Sequence, residues 1–273
     1  MKTLLSSLLF LFVSLGCQAQ FGINIFRGTT GKAVIKLKNG TKEVGVIREN
    51  GPVFGTERED PQMIKFKSDG ATDSRLVSSD DILSVDVYDK KRKDYYVTYF
   101  PLRIKINEEK YTFGDKTFVE FYPLMKYADV PYAEIHFFDG INGSVGYKWS
   151  HYLFPYGNTG DYFAFNGGYR RTNRESAQFM MMLDRDCPTF QAYMQENYLD
   201  TNNYKEAYKA EVKEFKKNKA AFIKERKAEG YTKGQAKTLY LSGEFFIYFK
   251  QILEKYKELC THENHNTRTT EEN

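Results

Sequence analysis

The N-terminal part of the chain alternates apolar and polar residues with the two-residue period of β-strands. Five such runs cover residues 32–38, 43–48, 63–67, 82–88 and 95–106. Asn39-Gly40 separates the first two runs and is typical of a tight hairpin. Ser79-Asp80-Asp81 indicates a turn, and Pro101 is expected to interrupt the last run or to mark an edge. The pattern predicts antiparallel strands, and a small, bent, SH3-like sheet is one arrangement that it allows.

A second group of short β-type runs follows. It covers residues 118–122, 133–138, 144–149, 152–156 and 162–165. Turn signals lie at Asp139-Gly140, at Asn142-Gly143 and at Asn158-Thr159-Gly160. These runs predict a second antiparallel meander, so we expect residues 20–169 to form a β-rich domain.

The pattern becomes helical near residue 170. Thr172-Asn173-Arg174-Glu175 has the spacing of a capping box, and Asn203 is expected to cap a helix that Gly230 ends. Another helix follows Thr232, with an apolar stripe wide enough to be buried. The two long helices predict an antiparallel hairpin packed on the sheet. The fold class is therefore α+β, with a helical region at 170–260 and a polar, disordered tail at 261–273.

The first residues resemble a secretory signal peptide. Lys2 gives a basic start, residues 4–13 are mostly apolar, and Cys17-Gln18-Ala19 suits cleavage before Gln20. Lipidation of Cys17 is the alternative, and only then would the mature chain be anchored to a membrane. No later segment approaches the ~18 apolar residues of a membrane span. The pattern predicts export, with a periplasmic, outer-membrane-associated or secreted location.

The net charge of the chain excludes one class of partner. The chain has 40 Lys and Arg against 36 Asp and Glu, a net charge of +4 that is too balanced for a nucleic-acid binder.

If Cys17 is lost with the signal peptide, Cys187 and Cys260 remain as an even pair of cysteines. In an exported protein such a pair predicts a disulfide, and two buried free thiols are the alternative.

Several of these segments together resemble exported proteins common in Bacteroidota. The segments are the Asn39-Gly40 hairpin, the Ile64-Lys65-Phe66-Lys67 strand, the Asp80-Asp81-Ile82 turn, Phe118-Val119-Glu120, Asp186-Cys187-Pro188 and the Gln-Ala-Gln that ends at Gln20. The resemblance covers most of the mature chain. It implies an envelope or secreted location and brings no activity and no catalytic residue with it.

Catalytic signatures are missing from the sequence. It has no Gly-x-Ser-x-Gly, His-Glu-x-x-His or Cys-x-x-Cys, and residues 27–33 depart from a phosphate loop because Ala33 stands where a Ser or Thr is needed. We therefore predict no catalytic residue, no metal site and no cofactor. A hydrolase with a dispersed site is the alternative. It would include His151 or use carboxylates that face a shared groove, namely Asp139, Glu134, Glu120 and Asp161.

The strongest binding signal is the aromatic segment at 147–169. Its rings lie beside polar groups and two glycine-rich turns, which suits the stacking of a sugar ring or the grip of a peptide. The candidate ligand-binding residues are Trp149, His151, Tyr152, Tyr156, Asp161 and Tyr162. An aromatic core beneath the helices is the alternative interpretation of the same rings.

The function that these observations favour is an exported, non-enzymatic binding or interaction protein whose partner is an envelope protein or a glycan. A structural or assembly protein of the envelope is a further alternative. In that case the basic face of residues 205–227 would dock on anionic groups.

Overall fold

A computed structural model describes residues 31–47, 61–88, 96–109, 112–139, 146–167, 173–229, 231 and 233–260. The predicted signal peptide with Cys17 and the predicted tail at 261–273 lie outside the described residues. The side chains of Trp149 and His151 also lie outside them, although the backbone of both residues is described.

The described part of the N-terminal half forms one sheet. Its strands are β1 (Gly31–Leu37), β2 (Lys42–Ile47), β3 (Met63–Ser68), β4 (Arg75–Ser78), β5 (Ile82–Tyr88), β6 (Tyr96–Glu109), β7 (Thr112–Tyr122), β8 (Met125–Tyr127), β9 (Val130–Asp139), β10 (Gly146–Pro155) and β11 (Tyr162–Gly167). Their order is β4-β3-β2-β1-β5-β6-β11-β10-β9-β8, and β7 pairs with β6. Neighbours are antiparallel except β6 and β11, which run parallel.

The β1–β2 hairpin forms where Asn39-Gly40 predicts it. Gly40 has a φ of +87°, a conformation in which a side chain would be strained. The Asn39 side chain accepts a hydrogen bond from the Thr41 amide at 2.9 Å, and the Leu37 amide donates to the Thr41 carbonyl at 2.8 Å. Local turn chemistry therefore fixes the register in which Val34 lies opposite Val44.

Pro101 does not interrupt β6. The strand pairs with β5 up to Tyr99 and with β7 from Phe100 onward, so Pro101 lies where β6 changes its partner. A proline has no amide hydrogen to donate to a ladder, and such a change of partner is a position where that loss is tolerated.

The second meander differs from the prediction in one strand. β10 is continuous over Gly146–Pro155, whereas the sequence suggests two strands at 144–149 and 152–156. A register shift between Tyr147 and Trp149 in its pairing with β9 accounts for the broken alternation. β9, β10 and β11 do form an antiparallel meander.

The C-terminal half is helical, as predicted. It contains α1 (Asn173–Met180), a short 3-10 helix (Met181–Leu183), α2 (Pro188–Met194), a π-helix (Gln195–Asp200), α3 (Tyr204–Lys217), α4 (Lys219–Ala228) and α5 (Lys233–Cys260). None of the helices that the structure describes is both long and apolar enough to cross a membrane.

The antiparallel hairpin pairs α3 and α4 with α5. Phe215 of α3 stacks on Tyr240 of α5 at a centroid distance of 4.8 Å, while Tyr204 at the start of α3 meets Tyr248. Two details differ from the sequence-based expectation. A break at Asn218 divides the first long helix into α3 and α4, and Asn203 precedes α3 without a side-chain capping bond.

The largest apolar cluster lies between the meander and the helices. Phe246 of α5 stacks on Tyr132 of β9 at 4.7 Å, and Phe249 contacts Tyr152 at 4.9 Å. A second cluster consists of side chains from β1–β6 and of Phe121 from β7. A third cluster lies on the face of β6, β7, β9 and β10 opposite the helices. The helices therefore cover one face of the meander and share its core.

The predicted disulfide between Cys187 and Cys260 is present. It joins residues 73 positions apart in the sequence, with a Cα–Cα distance of 5.9 Å, and both cysteines are buried. It ties the last residue of α5 to the residue that precedes α2.

Candidate functional site

Tyr152 lies in the core beneath α5. The residue is fully buried, and its ring lies 6.1 Å from that of Phe154 as well as against Phe249. It also hydrogen-bonds Glu134 on the neighbouring strand. An external ligand therefore has no direct access to Tyr152.

Tyr162 lies on the other face of the sheet. It packs against the third cluster, which includes Leu102, Ile104 and Leu153, and burial raises the pKa of its hydroxyl. Residues that alternate along a strand point to opposite faces, so Leu153 and Tyr152 are separated by the sheet. Tyr162 and Tyr152 are therefore not brought together.

The hairpin between β10 and β11 brings Tyr156 and Asp161 together. The Tyr156 amide donates to the Asp161 carbonyl at 2.9 Å, and the Asp161 amide donates to the Thr159 hydroxyl at 3.1 Å. That hydroxyl in turn donates to the Tyr156 carbonyl at 2.8 Å. Gly157 and Gly160 have φ values of +55° and +80°, which explains why glycine stands at both positions.

Lys105 adds a cation to this turn. Its Nζ lies 3.5 Å from Oδ2 of Asp161 and 5.7 Å from the centre of the Tyr156 ring. The side chains of Lys105 and Asp161 are each 14% exposed, so this ion pair is mostly shielded from water. The parallel pairing of β11 with β6, which sets Phe163 opposite Lys105, brings the two strands together.

Arg185 adds a second cation from the helical half. The centre of its guanidinium lies 5.8 Å from the centre of the Tyr156 ring, and the residue is exposed. The side chain of Gln191 donates to the carbonyls of Met181 and Asp184 at 2.8 and 2.7 Å, which fixes the loop that carries Arg185. No acidic side chain that the structure describes forms an ion pair with Arg185.

These residues define a site that we call the Tyr156 cluster, which consists of Lys105, Phe113, Tyr156, Asp161 and Arg185. Phe113 supports the tyrosine ring edge-on at 5.6 Å. The cluster combines an aromatic face, a shielded ion pair and an exposed guanidinium, and its formal charge is +1. Such a set can bind a carboxylate through arginine while an apolar surface of the ligand lies on the ring.

Sequence reasoning predicts Tyr156 and Asp161 but misses Lys105, Phe113 and Arg185. Lys105 resembles any outward residue of an alternating strand, and Arg185 lies between two aspartates in a loop. The parallel contact between β6 and β11 brings Lys105 to the turn, and no local pattern predicts a pairing across nearly sixty residues.

A second chemical feature is the carboxyl group of Glu134. Burial raises its pKa from 4.5 to about 8, although a hydrogen bond from Tyr152 acts in the opposite direction. The residue is only 5% exposed. Glu120 and Asp161 do not share a groove with it, because Glu120 lies with Tyr122 on the opposite face and Asp161 pairs with Lys105. The side chain of Asp139 lies outside the described residues.

An open concavity of about 360 Å³ lies at the end of the β1–β2 hairpin. Asp80 and Asp81 contribute to its wall, yet both belong to the turn before β5, where the Lys38 amide donates to the Asp81 carbonyl at 2.8 Å. Turn geometry thus accounts for the acidic pair. Within the described ranges, no three His, Cys, Asp or Glu side chains gather as a metal site would require.

No protein-family model, curated protein or solved structure matches this chain. The geometry of the Tyr156 cluster is therefore the basis for assigning a ligand class.

Proposed function

We propose that this chain is an exported, non-enzymatic binding protein whose ligand occupies the Tyr156 cluster. The observation that carries the proposal is the position of Arg185, whose guanidinium lies over the Tyr156 ring without an ion pair to any described carboxylate. A guanidinium forms strong, paired hydrogen bonds with a carboxylate, and a flat aromatic ring accepts the apolar face of a sugar. The ligand class that combines the two is an acidic glycan built from uronic acids.

The experiment measures binding of the intact chain to polygalacturonate, with uncharged dextran as the comparison polymer. Arg185→Gln removes the charge at an exposed position, so the fold should be retained. We expect the affinity for polygalacturonate to fall by roughly tenfold, because a charge-assisted hydrogen bond is lost. Arg174→Gln, at an exposed arginine of α1, is the matched control and should bind as the parent does.

Two results would refute this site. One is equal binding of polygalacturonate by the parent and by Arg185→Gln, and the other is the absence of any binding to the acidic polymer.

Export is the second part of the proposal, and the N-terminal pattern around Lys2 and Cys17 supports it. The intact mass of the native protein distinguishes the two processing routes. A chain that begins at Gln20 indicates release by signal peptidase, whereas a chain that begins at an acylated Cys17 indicates a lipoprotein. An uncleaved mass beginning at Met1 would contradict export.

A hydrolase is the alternative, and the protonated state of Glu134 near neutral pH favours it. A carboxyl with a raised pKa suits general acid catalysis, although α5 covers this one. The test is turnover of peptide, ester and glycan substrates by the intact chain and by His151→Ala. Turnover that disappears in His151→Ala supports the alternative, and no turnover on any of these substrates opposes it.

A further inference from the structure

The positive charge of the chain is concentrated at one end of the helical hairpin. Residues 213–237, which we call the arm tip, contain nine Lys and Arg against three Glu, a net charge of +6. The whole chain has a net charge of +4, so the remainder carries 31 positive and 33 negative residues and has a net charge of −2. The net positive charge of the sequence therefore comes from this segment.

The arm tip packs on the N-terminal part of α5. Phe215 and Phe222 enclose Tyr240 at centroid distances of 4.8 and 5.9 Å, and these three rings form a small aromatic core between α3, α4 and α5. None of the ten residues of α4 is buried. The apolar cluster shared with the sheet begins further along the hairpin, at Tyr208 and Phe246. The tip thus presents its surface to the surroundings.

Most cations of the arm tip are not neutralised locally. The paired ones are Lys216 with Glu244, Lys217 with Glu214, and Arg226 with Glu229. The exposed lysines for which no described carboxylate forms an ion pair are Lys213, Lys219, Lys224, Lys227, Lys233 and Lys237. A surface that carries mainly positive charge is stabilised when an anionic surface approaches it.

We propose that the arm tip docks peripherally on a bilayer of anionic phospholipid. Eight of its nine cations are lysines, which act as mobile point charges and suit a diffuse layer of head groups, while arginine suits bidentate recognition of a defined site. The large exposed apolar side chains of the described chain all lie on the sheet, so the contact is electrostatic and does not insert a helix.

The test is sedimentation of the intact chain with vesicles of 30% phosphatidylglycerol in phosphatidylcholine, compared with vesicles of pure phosphatidylcholine. Three exposed lysines of the tip are changed to glutamine together: Lys224→Gln, Lys227→Gln and Lys237→Gln. The proposal requires binding of the parent to the anionic vesicles alone and a loss in the triple variant of at least about tenfold. Binding should also weaken as salt rises.

The matched control removes the same charge from exposed lysines of the sheet: Lys42→Gln, Lys65→Gln and Lys116→Gln. This variant should bind the anionic vesicles as the parent does. An equal loss in both triple variants would overturn the docking surface, because net charge alone would then explain binding. Failure of the parent to bind, or binding to soluble polyglutamate and not to vesicles, would overturn the membrane as partner. The Arg185→Gln variant should bind vesicles normally, which keeps this test independent of the Tyr156 cluster.

Discussion

The buried carboxyl of Glu134 makes stability depend on pH in a defined direction. Its pKa is about 8 in the folded chain and 4.5 in a solvated one. Between these values the native state keeps a proton that the unfolded state has released, so stability falls as pH rises. The change is ~1.4 kcal/mol per pH unit, which gives a loss of about 3 kcal/mol between pH 4.5 and pH 7 from this group alone.

Glu134→Gln removes the titrating group and keeps a side chain of nearly the same shape that accepts the bond from Tyr152. We expect the variant to gain stability relative to the parent by about 3 kcal/mol as pH rises from 4.5 to 7. The measurement is urea unfolding of both proteins at each pH, and the quantity of interest is the difference between them. Taking the difference cancels the titration of all other groups.

Glu206→Gln changes an exposed carboxyl of α3 and serves as the control, because its difference from the parent should not vary by more than a few tenths of a kcal/mol. Tyr152→Phe tests the contribution of the hydrogen bond from Tyr152 to the pKa of Glu134. It removes the hydrogen bond that holds the pKa of Glu134 down, so the decline in stability should extend to higher pH. A Glu134→Gln difference that stays constant from pH 4.5 to pH 8 would refute the reasoning.

Two further predictions concern the fold. Replacing Cys187 and Cys260 by serine opens a long loop and should lower the free energy of unfolding by ~4 kcal/mol, as measured by urea denaturation; a loss below about 1 kcal/mol would contradict it. Gly45→Ala would place a Cβ 2.1 Å from the Lys67 carbonyl oxygen and 2.7 Å from the Phe66 ring. We expect it to cost about 3 kcal/mol, and an unchanged melting temperature would show that β2 and β3 can separate freely.

Local signals predicted those parts of the fold whose causes are local. Asn39-Gly40 sets a hairpin through its own φ angles and side-chain bond, and an apolar stripe indicated the long helix α5. The break at Asn218 was not predicted, because the apolar spacing continues from Phe215 to Phe222 across it. β10 was divided in two, since a register shift near Trp149 interrupts the alternation that defines a strand.

In the candidate site, too, the sequence predicts only the features whose causes are local. The aromatic segment with its Asn158-Thr159-Gly160 turn indicated Tyr156 and Asp161 as candidate binding residues. Whether Tyr152 and Tyr162 share a face depends on the register across the hairpin, which sets Pro155 opposite Tyr162. That register cannot be predicted from the sequence. Lys105 and Arg185 lie beside Tyr156 because of tertiary contacts between segments that are distant in the sequence. Only the structure could therefore assign them to the site.

The disulfide also determines what a protease can release. The arm tip lies inside the loop that Cys187 and Cys260 close, and its exposed lysines are natural sites for trypsin-like cleavage. A cut there would leave two polypeptides joined by one covalent bond, with the helices on either side of the cut still attached to the body. Such a nicked molecule would migrate as a single species in gel electrophoresis until the disulfide is reduced. Cleavage in the arm tip would therefore not detach the arm tip from the protein.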